Sequence, residues 1–125
     1  MENPVRWFEI YVQNMQRAKK FYETVLGAPL SKLENPGPGP TEMFSFPMQE
    51  GGSGAAGALV KMEGCPSGGS GVIVYFGCKD CAVEAGRIKG AGGHVTKPKF
   101  SIGPHGYIAL ATDTEGNMFG LHSME

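Results

Sequence analysis

The sequence predicts an α+β fold built of two βαβββ modules, and three features carry the prediction. The stretch WFEIYVQNMQRAKKFYETVLG, Trp7 to Gly27, reads as strand, cap, helix and glycine stop. A second unit of the same order follows, in which the cap moves from Asn14 to Asp80 and the stop from Gly27 to Gly93, the same step of 66 residues. Between them EGCPSGGSG, Glu63 to Gly71, is the one real linker, at mid-sequence, where two copies of a module would be joined. The 125 residues thus predict one domain, with module 1 at about 4–62, module 2 at about 71–123 and the linker at 63–71.

Module 1 opens with a strand from Trp7 to Val12. Its alternation sets Phe8, Ile10 and Val12 on one face and Trp7, Glu9 and Tyr11 on the other. Asn14 offers an oxygen to the free N–H groups of the following helix, whose apolar face is read as Met15, Ala18, Phe21, Tyr22 and Val25. On that reading Phe21 and Tyr22 are core, not an aromatic cage. Gly27 supplies the left-handed stop. Ala28 to Leu33 is a short strand, and ENPGPGPT, 34–41, is a loop because its prolines break regular hydrogen bonding. Met43 to Met48 and Ala56 to Met62 complete the module around a turn at 49–54. The small residues at 55–58 leave room for another backbone or a ligand.

Module 2 repeats the order less regularly. Val72 to Cys78 is β-prone, and Cys81, Ala85, Ile88 and Ala91 form a helical face ended by Gly92 and Gly93. Gly86 and Gly90 each weaken that helix by about 1 kcal/mol relative to alanine, so packing has to hold it. His94 to Lys99, Tyr107 to Thr112 and Met118 to His122 are the remaining strands, separated by the loop FSIGPHG and the turn DTEGN.

Composition limits the function classes. With 41% hydrophobic and 18% charged residues the chain reads as soluble and globular, and a net charge of −1 gives no electrostatic footprint for nucleic acid or a membrane surface. No apolar run is long enough to span a bilayer, and MENPVRW lacks the features of a signal peptide, so a cytoplasmic protein is expected. Three cysteines, an odd number, argue against a disulfide framework and for reduced thiols. Cys78-Lys79-Asp80-Cys81 is a C-x-x-C at a strand-to-helix junction, where a helix dipole activates thiols; the plainer reading is a core Cys78 and a helix-face Cys81 pointing apart.

The helix end KKFYETVLG in the first half and DTEGNMFGLHS at the end of the second, taken in this order over nearly the whole chain, resemble the vicinal oxygen chelate superfamily. That group includes glyoxalase I, bleomycin-resistance proteins and extradiol dioxygenases, and the likeness is greatest to its small, single-unit glyoxalase-related members. The resemblance implies two modules pairing their sheets into a curved, open, incomplete barrel around a cavity, a small-molecule ligand, and a homodimer. It also implies where a metal would be held, and those positions here are Trp7, Ile73, Gly120 and the strand around Gly57 to Leu59. None of these side chains coordinates a divalent cation, which takes imidazole, carboxylate or thiolate. No cofactor is therefore expected.

Within the implied cavity Glu9 shares a face with Trp7 and Tyr11. An unused buried charge is costly, so a partner such as Tyr75 or Tyr107, or a polar ligand, is expected. Glu9 is then either a structural group or a ligand anchor and the one catalytic candidate, as a general base. The leading expectation is a metal-free small-molecule binder with Trp7, Tyr11, Phe46 and Tyr75 as walls, and with Ile73, His105, Gly120 and His122 completing the ligand-binding list. The alternative is a glyoxalase- or dioxygenase-type enzyme, with a divalent metal on a displaced set of Glu9, His105 and His122 or with a metal-free acid–base site. The histidines also have a plainer reading as surface or strand-end residues. A sensory or accessory module acting through a partner protein is the third possibility.

Overall fold

The structure, a computed structural model, describes residues 3–34, 40–69 and 71–125. Most of the proline-rich loop expected over 34–41 lies outside those residues. The elements run β1 (Val5–Tyr11), α1 (Met15–Leu26), β2 (Ser31–Leu33), β3 (Thr41–Ser45), β4 (Ala56–Met62), β5 (Val72–Gly77), α2 (Cys81–Ile88), β6 (His94–Ser101), β7 (Tyr107–Thr112) and β8 (Met118–Ser123), with a 3-10 turn at Gly103–His105. The class is α+β, and the βαβββ order occurs twice. Two compact units form, one from Trp7 to Val72 and one from Ile73 to Glu125 together with the chain up to Arg6. The glycine-serine linker belongs to the first.

In the first unit β1 pairs parallel with β4, β4 antiparallel with β3, and β3 antiparallel with β2. Asn14 holds an extended backbone, and its side-chain oxygen accepts from the Arg17 N–H at 3.0 Å. Gly27, at φ 67°, turns the chain out of the helix while its N–H bonds back to the Glu23 carbonyl. The Glu23 carboxylate accepts the Leu30 N–H at 2.8 Å and meets Lys19 at 3.3 Å, tying the returning chain to the helix it has just left. The Leu30 N–H, and after it Lys19, hold that carboxyl below its usual range. Because Ala28 to Leu30 are engaged in this return, β2 begins only at Ser31. β3 likewise ends at Ser45, short of the expected Met48, since Pro47 has no N–H to give the ladder.

The core of this unit gathers Val12, Met15, Leu30, Phe46 and Leu59, with Phe8, Ile10, Ala18, Tyr22 and Phe44 packed against it. Its helical stripe is narrower than the sequence suggests. Phe21 and Val25 are 59% and 62% exposed. With Met15, Ala18 and Tyr22 turned to the sheet, these two sit about 60–100° round the helix on its open flank. The small residues of β4 admit no ligand at Gly57, where the Phe8 ring lies across the glycine.

In the second unit β5 pairs parallel with β8, and β8, β7 and β6 follow antiparallel. The Asp80 side chain accepts the Ala82 N–H at 3.0 Å, and Ser123, almost wholly buried, accepts the Cys81 N–H at 3.0 Å. Two of the free N–H groups at the start of α2 are thereby satisfied, one locally and one from the last strand. Helix α2 stops at Ile88, so Ala91 lies in the exposed glycine turn that follows and not on a buried face. Cys81, Ile88, Ala109, Ala111 and Leu121 form the core, with Phe76, Ala85, Val95, Tyr107 and Phe119 around it.

The motif DTEGN also has a physical account. The Asp113 carboxylate accepts from the Glu115 N–H at 2.8 Å, the Asn117 N–H at 2.9 Å and the Asn117 side-chain amide at 3.2 Å. Gly116, at φ 83°, closes the turn that these bonds shape. The aspartate and asparagine of the motif thus hold the β7–β8 hairpin in register.

Candidate functional site

The strongest polar constellation among the expected residues is on β1. Phe8 and Ile10 pack toward α1, so the odd-numbered residues between and beside them face the other way. There the Glu9 carboxylate is held on both oxygens. Trp7 Nε1–H donates to Oε2 at 3.1 Å, and the Tyr11 hydroxyl donates to Oε1 at 2.7 Å. The three residues sit two apart on one strand, a spacing of about 6.8 Å that indole and phenol side chains bridge. Strand pairing sets Glu9 beside Ala58, Ser45 and Ser31, a row of small side chains in which Ala58 and Ser45 are buried. The next row runs Tyr11, Val60, Met43 and Leu33. It leads toward a hollow of about 870 Å³ at the ends of β2, β3 and β4, whose lining includes Leu33, Thr41, Met43 and Met62.

Other expected site residues lie elsewhere. Phe46 is in the α1 core, its ring 5.5 Å from those of Phe8 and Tyr22, and so stands on the opposite side of the sheet from Glu9. It is removed from the ligand walls. Tyr107, considered as a partner for Glu9, packs in the α2 core with Lys99 Nζ 4.7 Å from its ring centre. Ile73 and Tyr75 are buried on β5, alternating with the α2-packed Phe76. Gly120 aligns with Tyr75 across β8 and β5, and the Tyr75 ring fills the space that a side chain at 120 would need. His122 Nε2 lies 2.7 Å from the carbonyl oxygen of the exposed His105. A carbonyl only accepts, so Nε2 carries the proton.

These positions fail the test for a metal. Trp7 has its N–H committed to Glu9, Ile73 is a buried alkyl group, and Gly120 is roofed by an aromatic ring. In the displaced set of Glu9, His105 and His122, the His122 Nε2–H is given to the His105 carbonyl, not to a carboxylate. Among the described residues no three His, Cys, Asp or Glu side chains come together where they could hold an ion.

The C-x-x-C takes its plainer reading. Cys81 is fully buried, and the Cys78 thiol, half-buried, donates to the Phe76 carbonyl at 3.7 Å. Burial, and then the charge of Glu84, push the Cys78 thiol up to about 11, the reverse of an activated thiolate. All three cysteines are free. Two features escaped sequence reasoning: the buried Ser123 that caps α2, and the Glu23 bond to Leu30. The glutamate inside KKFYETVLG is a local signal for the second; nothing near Ser123 marks the first.

The chain is 29% identical over 116 residues to "Putative glyoxylase CFP32" of Mycobacterium tuberculosis, a match over 92% of this chain but only 43% of the relative's length. Among solved structures it is similar to the hypothetical protein BH1468 from Bacillus halodurans, with a TM-score of 0.74 and 14% identity, covering 100% of this chain and 96% of that one. It is also similar to a variant of Streptomyces coelicolor methylmalonyl-CoA epimerase in complex with 2-nitronate-propionyl-CoA, with a TM-score of 0.68 and 20% identity over 97% and 96% of the two chains. These structures establish the shared fold. No helix among the described residues is long and apolar enough to cross a membrane. Residues 5–121 match the profile of the Glyoxalase/Bleomycin resistance protein/Dioxygenase superfamily, and the chain belongs to that family.

Proposed function

We propose that this protein binds a small molecule without a metal, using Glu9 as its polar anchor between Trp7 and Tyr11. The observation that carries the proposal is the fixing of both carboxylate oxygens of Glu9 by side chains of its own strand. A carboxylate so oriented presents a negative charge from a fixed place to an N–H or O–H of a ligand, while indole and phenol supply apolar surface beside it. The bound acyl-CoA analogue in the similar epimerase shows the same fold holding an organic ligand. Tyr75 over Gly120, where the family resemblance implies a metal-binding glutamate, supports the absence of a metal. The same proposal takes the protein as a cytoplasmic homodimer, supported by the family resemblance and the near-neutral charge; sedimentation velocity checks the assembly.

Trp7 is the only tryptophan, so its fluorescence reports on this site alone. Titration against a panel of planar aromatic metabolites is expected to change its emission for at least one of them. In Glu9→Gln the affinity should fall by about 1.5–3 kcal/mol, the worth of a hydrogen bond to a charged group, with little change in the melting midpoint. Uniform failure to bind, or a variant that loses stability while keeping its affinity, removes Glu9 as an anchor.

A further inference from the structure

A pair of sulfur atoms stands where β4 ends in the first unit. Met62, Glu63, Gly64 and Cys65 form a tight turn, closed by the Cys65 N–H on the Met62 carbonyl oxygen at 3.1 Å. Gly64 takes the left-handed third position at φ 84°, which such a turn reserves for glycine. The turn folds Cys65 back over Met62, and the thiol Sγ donates to the Met62 Sδ at 3.6 Å. Gln13, just past β1, donates its side-chain N–H to the Cys65 carbonyl oxygen at 3.1 Å and ties the turn down.

A third sulfur is within reach. Met43 pairs with Val60 and Thr41 with Met62, so Met43 and Met62 are diagonal neighbours on one face of the β3–β4 pair. Such neighbours are about 7–8 Å apart, a gap that long side chains span. Both methionines line the hollow at the ends of β2, β3 and β4. Neither belongs to the core cluster of the unit, and Met62 is 37% exposed, so core packing does not hold their thioethers in place. An unbranched methionine has three rotatable bonds with which to bring its sulfur to a ligand.

We infer that this turn binds a soft monovalent metal ion, Cu(I), between Cys65 and Met62, with Met43 as the third sulfur ligand. Thiolate and thioether sulfur together select Cu(I), whereas the divalent cations considered at the family's positions take imidazole, carboxylate or thiolate. Two sulfurs bound to one ion at about 2.3 Å, the length of a zinc–thiolate bond, stand about 3.8 Å apart at a tetrahedral angle and about 4.0 Å at a trigonal one. The observed 3.6 Å is a few tenths short of that, so the pair has only to open slightly. On binding, the Cys65 thiol releases its proton to water, an S–Cu bond forms, and the metal keeps its oxidation state. Met62 lies four residues beyond Ala58, the cross-strand neighbour of Glu9, or about 13 Å along the strand. The site therefore stands or falls independently of the Glu9 anchor.

The test titrates Cu(I), kept reduced without oxygen and buffered by the chromogenic chelator bicinchoninate, into the full chain. The ε-methyl signals of the seven methionines are followed in 1H–13C NMR spectra. One equivalent should bind, with saturable shifts at Met62 and Met43. Met62→Leu, at an exposed position, should keep the melting midpoint and weaken binding at least about tenfold, since even the groups that support a metal ligand are worth about 10–100-fold. Cys65→Ser should abolish binding, while Cys78→Ser and Glu9→Gln should leave it unchanged. Methionine methyls that stay in place, an affinity unaltered in Met62→Leu, or an equal loss in Cys78→Ser would each overturn the inference.

Discussion

Substituting Gly120 by alanine is a direct measure of what occupies the family's metal position. A methyl at 120 would overlap Cδ2 and Cε2 of the Tyr75 ring, which is itself only 6% exposed and has little room to withdraw. Forcing one extra carbon into such a contact costs about 1–3 kcal/mol. For a chain of 125 residues, at about 2.1 cal/mol/K of unfolding entropy per residue, the melting midpoint of Gly120→Ala should drop by about 4–12 °C. Loss of helix or strand propensity gives no such figure, since alanine is tolerated in strands and Gly120 has no left-handed backbone to protect. The decisive comparison is a double-mutant cycle with Tyr75→Ala, read by calorimetry or denaturant titration. Removing the ring empties the space, so the alanine at 120 should become nearly neutral and the coupling should lie in the range of about 0.5–3 kcal/mol found for contacting residues. An equal cost in both backgrounds would show that the ring does not stand over Gly120, and the physical case against a metal at that position would lose its main support.

Two further outcomes follow from the packing and the charges. Phe46→Ala should cost about 3–5 kcal/mol in denaturant titration, as a buried aromatic does. Phe21→Ala, on the open flank of α1, should stay within about 0.5 kcal/mol; similar losses from both would reverse the assignment of the helix face. The Asn117 and Glu115 N–H groups hold the Asp113 carboxyl below its usual range. A depressed folded pKa gives stability that is complete above the unfolded value, about 3.9, and is lost as pH falls through the lower folded one. The advantage of the native protein over Asp113→Asn in thermal melts should therefore be present at neutral pH and shrink in acid below about pH 4. A gap of constant size down to pH 2 would show that the carboxylate charge is not what the turn uses.

What was legible in the sequence was local. Asn14, Asp80 and Gly27 act through bonds to residues two to four positions away, and the alternation of β1 is enough to put Trp7, Glu9 and Tyr11 on one face. What was not legible depends on partners far along the chain. Periodicity defines a stripe on α1 but not which flank the sheet covers, so Phe21 and Val25 read as core. Nothing in Tyr107 or Phe46 says which side of its sheet a helix will occupy. The strand glycines make the limit most concrete. A glycine in a strand signals that something passes close to the backbone, and at Gly57, Gly77 and Gly120 the natural guess in a ligand-binding family is the ligand. At each, a side chain of the protein itself lies there: Phe8, Arg6 and Tyr75. Those pairs are 49, 71 and 45 positions apart in sequence, far beyond any local pattern. Two of these crossings, Phe8 and Tyr75, close space that a ligand or metal would use. The third lays the stem of Arg6 across Gly77, so that the gap left by the missing side chain is filled from the start of the chain.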